Sequence, residues 1–398
     1  MHDPQSALAA PQAADLLRLY PAGGSLFVSP RRAVLAQGRH ATLPHGPAAT
    51  LAERAAALLA AVRAEGVARP LLLGAVPFNQ DAPAHLFVPE GVVFGHGVDG
   101  PAPIAQPRLP AQRDAAAEAA PSPDRYRRNV ARALAHIGDG ALEKVVLSRS
   151  LKVEADVAVP ALLRRLAGRN PRGYTFAIDL PEQDDERRTL VGASPELLLS
   201  RRGMQVVSHP LAGSIPRSAD PVEDQARAER LFGSAKDRHE HQLVVDAVAQ
   251  ALRPYCTGVH VPAGPSLVST PSMWHLATEI RGDLADPRHG ALELALALHP
   301  TPAVCGHPTD AARSFIEEVE GFDRGFFTGL VGWCDADGDG EWAVTIRCAE
   351  VGERSATLYA GAGIVAGSEP ALELAETSAK LRTMLNAMEL ESVLEDAA

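Results

Sequence analysis

The stretch "GLVGWCDADGDGEWAVTIRCAEV", residues 329–351, decides the fold class. Two runs of apolar and β-branched residues flank an acidic turn that carries glycine, the pattern of an antiparallel hairpin. Comparable strand-like runs stand at 25–30 ("SLFVSP"), 70–78 ("PLLLGAVPF"), 85–95 ("HLFVPEGVVFG"), 142–154 ("LEKVVLSRSLKVE"), 174–179 ("YTFAID"), 189–194 ("TLVGAS"), 197–213 ("LLLSRRGMQVVSHPLAG") and 258–265 ("GVHVPAGP"). Helical patterns fall at 47–66, at 126–140 and at 223–254, the last with a break at Gly233. Strands and helices do not alternate regularly, which argues against a doubly wound parallel sheet. An α/β chain of the α+β kind, with large antiparallel sheets flanked by helices, fits better.

The acidic turn also resembles a calcium loop, with Asp335, Asp337 and Asp339 in the first, third and fifth places and Gly340 in the sixth. The twelfth place needs a bidentate acid and holds Ile346, and the flanks read as strands, so a solvated hairpin turn is expected instead. "RHEH" at 238–241 suggests a metal cluster, but His239 and His241 lie about 200° apart around a helix and only one of Glu240 and His241 can face a site. "GAGIVAG" at 361–367 is neither a Walker A loop nor a dinucleotide fingerprint. Its glycines permit close approach of the backbone to a ligand, or simply a tight turn. The helix after it places Glu373, Glu376 and Lys380 within about 60° of one another. That face admits a surface salt bridge, a metal ligand, a general base or an anion clamp.

The 398 residues carry a net charge of −11, which argues against nucleic-acid or anionic-membrane partners. An anionic substrate would therefore need positive charge gathered locally. The first twenty residues have no basic segment followed by a long apolar run, and no stretch is long and apolar enough to span a bilayer. Four scattered cysteines (Cys256, Cys305, Cys334, Cys348) without a CxxC pair suit a reducing, cytoplasmic setting. The Pro- and Ala-rich segment 99–124 reads as a loop between an N-terminal part, 1–98, and a core, 125–392.

Nine stretches in order carry a resemblance. They are "KVVLSRSL" (144–151), "GASPELLL" (192–199), "HPLAGSIPR" (209–217), "SAKDRHEHQLVVD" (234–246), "MWHLATEIRG" (273–282), "LHPTPAVCG" (298–306), "FDRGFFTGLVGW" (322–333), "VTIRC" (344–348) and "YAGAGIVAGSEPALELAETSAKLRTML" (359–385). Together they resemble the chorismate-utilising enzymes, the family of anthranilate, aminodeoxychorismate and salicylate synthases, and within it the isochorismate synthases of the siderophore-pathway type. The resemblance covers about 124–390 well and implies one large domain over 1–398, a deep cleft between sheets and helices, a Mg2+ ion and chorismate as substrate.

It also implies roles. Lys144 matches the family's general base and opens an apolar run whose burial would lower a lysine's pKa. Glu196 matches the general acid that protonates the departing C4 hydroxyl while water adds at C2. Glu240 and Glu376 match the magnesium ligands, with Glu373 beside them. Arg347 and Lys380 match the clamp on the enolpyruvyl carboxylate, with backbone amides near Gly361 and Gly363 as further donors. Gly213 and Ser214 line the ring side, and His275 is a polar contact or a satisfied core histidine. Ala303 stands where aminating members and salicylate synthases carry Thr, which leaves room for water chemistry. Lys144 argues against anthranilate synthases, but not against aminodeoxychorismate synthases. The expectation is an isomerase that converts chorismate to isochorismate, with menaquinone-pathway isochorismate synthases, salicylate synthases and aminodeoxychorismate synthases as alternatives. An isochorismate-using enzyme is its expected downstream partner.

Overall fold

In the computed structural model, residues 10–98, 107, 115–183, 185–390 and 392–393 are described. The acidic hairpin forms as expected. Leu330–Asp335 pairs antiparallel with Gly340–Val344, from Leu330 opposite Val344 to Cys334 opposite Gly340. Its turn is not built for a cation. The Asp335 carboxylate accepts the backbone N–H groups of Asp337 and Asp339, each at 3.0 Å, Asp339 accepts from the Gly203 N–H, and Asp337 pairs with Arg63.

That hairpin lies inside a nine-stranded sheet ordered Cys256–His260, Ile280–Leu284, Gln205–His209, Leu197–Arg202, Gly340–Val344, Leu330–Asp335, Leu71–Val76, His85–Val88, Ala41–Thr42. A ten-stranded sheet runs Gly306–His307, Lys144–Glu154, Ser355–Val365, Cys348–Val351, Thr189–Ser194, Tyr174–Asp179, Ser25–Val28, Arg32–Gln37, Gly91–His96. Its tenth strand, Ala117–Ala120, pairs with Lys144–Glu154. The end of the segment read as a loop is therefore an edge strand, followed by a helix from Pro123. "AEAA" has little strand propensity of its own, and the long neighbouring strand imposes the pairing. A third sheet holds Leu211–Pro216, Met273–Ala277 and Ser266–Ser269. The ladders between the strands of these sheets are all antiparallel among the described residues.

The two large sheets pack face to face, with helices outside both. Strand periodicity makes this possible, because successive side chains point to opposite faces. Phe27 enters the layer between the sheets, while Leu26 and Val28 face the outer helices. On the other sheet Leu71, Leu73 and Ala75 point inward and Leu72 and Val76 outward. Strands buried on both faces explain the near-continuous apolar runs in the sequence. The helical pattern at 223–254 does divide near Gly233. Pro221–Gly233 ends, Ser234 adopts an extended conformation, and its side chain accepts from the Asp237 N–H to start Ala235–Leu252. No helix among the described residues is long and apolar enough to cross a membrane.

Candidate active site

The chain passes between the two large sheets at several points, and two of these crossings lie together. The chain leaves the ten-stranded sheet at Ser194, passes Pro195 and Glu196, and joins the nine-stranded sheet at Leu197. It returns in the opposite sense between Val344 and Cys348, through Thr345, Ile346 and Arg347. The crossings are tied together: the Val344 N–H donates to the Glu196 carbonyl at 3.2 Å, and the Ala193 N–H donates to the Arg347 carbonyl at 3.0 Å. Arg347 has φ of 52°, the left-handed region that a residue with a Cβ seldom occupies. The topology thus delivers an acid and a guanidinium side by side where the sheets part.

Both line a chamber with Gly213, Ser214 and His275 of the third sheet, Ala303, Gly361 and Gly363, Glu240 of the Ala235–Leu252 helix, and Glu376 and Lys380 of the Pro370–Met388 helix. Burial pushes the Glu196 carboxyl up to about 7, against the pull of the Leu211 N–H at 3.4 Å and of Lys144, Arg347 and Lys380. It is thus poised to hold or release a proton near neutrality. Arg347 is 5% exposed and has no carboxylate partner among the described residues. Its Nη2 donates to His275 Nε2 at 3.4 Å, and its Nε has no partner among the described residues. Burial lowers the guanidinium to about 10, still charged at neutral pH. Burial, and then Arg347 and Lys380, hold His275 well below its ordinary range, so its imidazole is neutral and Nε2 accepts.

Three acids meet three lysines. Glu240 Oε1 lies 2.9 Å from Lys144 Nζ, an ion contact outside hydrogen-bond geometry. Glu376 Oε1 accepts from Ser214 Oγ at 2.9 Å and lies 2.6 Å from Lys380 Nζ, which also donates to the Gly361 carbonyl at 2.8 Å. Glu373 Oε1 lies 2.9 Å from Lys236 Nζ. Burial and then the Glu376 charge raise Glu373 to about 7, against Lys236. Asp237 is raised by burial and by Glu240 and Glu376. Four carboxyls within range of one another make a site that favours cations, and their oxygens are hard donors. Among the described residues, no three His, Cys, Asp or Glu side chains yet converge closely enough to hold a metal ion. The lysines occupy the acids one by one.

Two glycines are needed for this packing. A Cβ on Gly363 would lie far inside contact distance of Glu240 Oε1 and 3.0 Å from Lys144 Cε. Gly213, at φ of 73°, sits where a Cβ would reach 3.0 Å from that of Asp237. Because the Gly361 carbonyl turns to Lys380, away from the Lys144–Glu154 strand, its N–H points the same way, and so does that of Gly363 two residues on.

Two expected residues stand off the chamber. Lys144 is fully buried behind Glu240 and Gly363, facing an acid rather than open space. Glu373 is 2% exposed and faces Lys236. Glu240 reaches the chamber, while His241 is buried against Thr278 Oγ1 at 2.7 Å and His239 is exposed. Lys236 and the wall residues Phe327, Thr328, Ile346 and Tyr359 escaped the sequence reading. Lys236 could have been found, since it stands four residues before Glu240 on the same helical face.

Comparison with known proteins places the chain in a family. The family described as "Chorismate binding enzyme" matches residues 103–389. The chain is 52% identical to isochorismate synthase DhbC of Bacillus subtilis over 98% of this chain and 99% of that one. It is 46% identical to the vibriobactin-specific isochorismate synthase of Vibrio cholerae, over 82% and 81% respectively. The crystal structure of DhbC from Bacillus anthracis superposes with a TM-score of 0.90 at 48% identity, over 95% of this chain and 100% of that one. With its fold and most of its length accounted for in this way, the chain belongs to the chorismate-binding enzyme family.

Proposed function

We propose that this protein isomerises chorismate to isochorismate and that its product serves catechol or salicylate siderophore synthesis. The observation that carries the reading is the pair at the strand crossings: a carboxyl poised at about 7 beside a buried guanidinium with no carboxylate of its own. A ligand that brings a carboxylate to Arg347 and a leaving hydroxyl to Glu196 satisfies both. The match to isochorismate synthases at 52% and 46% identity supports the reaction, and the vibriobactin-specific relative supports the siderophore branch.

Water adds at C2, the ring double bonds shift, and the C4–oxygen bond breaks. Glu196 gives its proton to the departing hydroxyl, so one water enters and one leaves. Lys144, the base that the family resemblance implies, would take the proton of the attacking water only as the free amine, released from the Glu240 carboxylate that lies 2.9 Å from its Nζ. Arg347 and Lys380 hold the enolpyruvyl carboxylate, the Gly361 and Gly363 N–H groups add donors, and neutral His275 steadies the guanidinium. Gly213 and Ser214 support the ring side, and Ala303 leaves space for water. Glu240 and Glu376, with Glu373 behind, would hold magnesium, which neutralises the ring carboxylate when bound. Lys144 and Lys380 must then yield part of their hold on these acids.

Purified protein with magnesium and chorismate, without ammonia, is expected to release isochorismate. Chromatography showing only salicylate, or only an aminated product, would overturn the assignment. Glu376→Ala is expected to raise the magnesium concentration for half-maximal activity at least about tenfold, a loss of one strong ligand. An unchanged magnesium titration removes the ligand role.

A further inference from the structure

A second cavity adjoins the reaction chamber, and Arg347 lines both. About 360 Å³ of it is open to the centre of a water-sized sphere, against about 60 Å³ in the chamber. A single water needs roughly 10–15 Å³ on this measure, so the chamber as it stands holds a handful of waters while its neighbour could hold a ring with substituents.

The larger cavity is basic. Arg169, Arg217, Arg382 and Arg347 line it with Asn170, Asn386 and other neutral groups, and no Asp or Glu does. Not all of this charge is available. Arg217 is held by Asp224 through Nε bonds of 2.8 and 2.9 Å. Arg382 is exposed and makes no ion pair among the described residues, and Arg347 has no carboxylate either. The Pro370–Met388 helix serves both spaces. Glu376 and Lys380 face the chamber, while Ala379, Arg382, Thr383 and Asn386, spaced by three, four and seven residues, face the basic cavity.

A net charge of −11 repels a dianion in general, so a local basic mouth has a large effect on how often such a ligand arrives. We propose that this arginine-lined cavity is a capture site for the dicarboxylate substrate, which passes from it to the chamber across Arg347. The inference rests on the substrate assigned above. Arg382 supplies the outer attraction and Arg347 the inner one. A carboxylate handed from one guanidinium to the next is never left unpaired in the low-dielectric interior.

The test is kcat/KM for chorismate as a function of ionic strength in the wild type, Arg382→Gln, Arg382→Glu and Arg202→Glu. Arg202 is an exposed arginine on the cavity beside Trp333 and Glu341, so its reversal changes net charge without touching the capture site. At low salt Arg382→Glu is expected to lower kcat/KM about tenfold and Arg382→Gln about threefold, with kcat unchanged. The gap is expected to close toward 1 M salt, where the Debye length is about 3 Å. Arg202→Glu is expected to stay within about twofold of wild type, because it lines a different cavity and acts on the ligand only through the diffuse net charge. Equal losses for Arg382→Glu and Arg202→Glu, no loss for Arg382→Glu, or a matching fall in its kcat would each overturn the capture site. A wild-type protein that does not turn chorismate over is a separate failure, which removes the substrate assignment and the capture site with it.

Discussion

Two buried arginines, twenty-three positions apart in sequence, are used in opposite ways. Arg324 is saturated. Its Nε donates to Glu320 Oε2 at 2.8 Å, Nη2 to Glu320 Oε1 and the Val146 carbonyl, Nη1 to the Val304 carbonyl and Thr328 Oγ1, and its face lies 4.5 Å from the Phe78 ring centroid. Glu320 Oε1 in turn accepts from the Ser148 N–H at 2.7 Å. Val146, Val304 and Thr328 are walls of the chamber, so this pair fastens three separate segments around it. Arg347, equally buried, has one long bond to a neutral histidine and a backbone in the left-handed region. A buried charge with every donor answered belongs to the framework. One left open is kept for something that arrives.

The sharpest way to break this comparison is stability. Arg324→Met leaves Glu320 buried without its cation and is expected to cost about 3–5 kcal/mol in urea unfolding, with the Arg324→Met/Glu320→Leu double variant recovering much of it. A loss below 1 kcal/mol would mean that the pair does not fasten the walls. Arg347→Gln removes a charge that has no partner to abandon, so its unfolding free energy is expected to change by less than about 1 kcal/mol. Its kcat/KM is expected to fall about 10²–10³-fold, as for a truncated partner of a buried charge pair. Equal destabilisation by Arg347→Gln and Arg324→Met would erase the distinction.

Glu196 adds a test by pH. Its folded value of about 7 lies above the ordinary 4.5, so between these values the folded state binds more protons than the unfolded one, and stability falls as pH rises through this window. Glu196→Gln is therefore expected to be more stable than wild type at pH 8 by roughly 2–3 kcal/mol, with the advantage gone below about pH 4.5. Turnover is expected to be abolished at every pH. A stability difference independent of pH would mean that the carboxyl is not held protonated by its surroundings.

Much of this was legible in the sequence, for reasons that differ by residue. The hairpin at 330–344 shows itself through local composition, because turn chemistry and alternation act over a few residues. Glu196, Arg347, Glu240, Glu376 and Lys380 were found because their surrounding motifs resemble a known family, and the structure brings them to one chamber. Their company was legible only in part. The Lys380–Glu376 contact is the i, i+4 salt bridge that the helix face admits, whereas Lys144 facing Glu240 and Lys236 facing Glu373 depend on how separate elements pack. Arg324 lay inside the quoted "FDRGFFTGLVGW" stretch and Glu320 just before it, and nothing in the sequence marked the two as a buried pair. Only the packing of Phe78, Val146 and Val304 around it removes the water. The strand at Ala117–Ala120 was missed because its residues prefer other conformations and its partner is distant in the chain.

The paired crossings at Glu196 and Arg347 have a mechanical side. They are two of the places where backbone from one large sheet becomes backbone of the other, stitched by the Val344–Glu196 and Ala193–Arg347 bonds. A ligand gripped by both side chains acts as a rivet through that seam. Occupancy of the chamber by such a ligand would then add cohesion between the two layers.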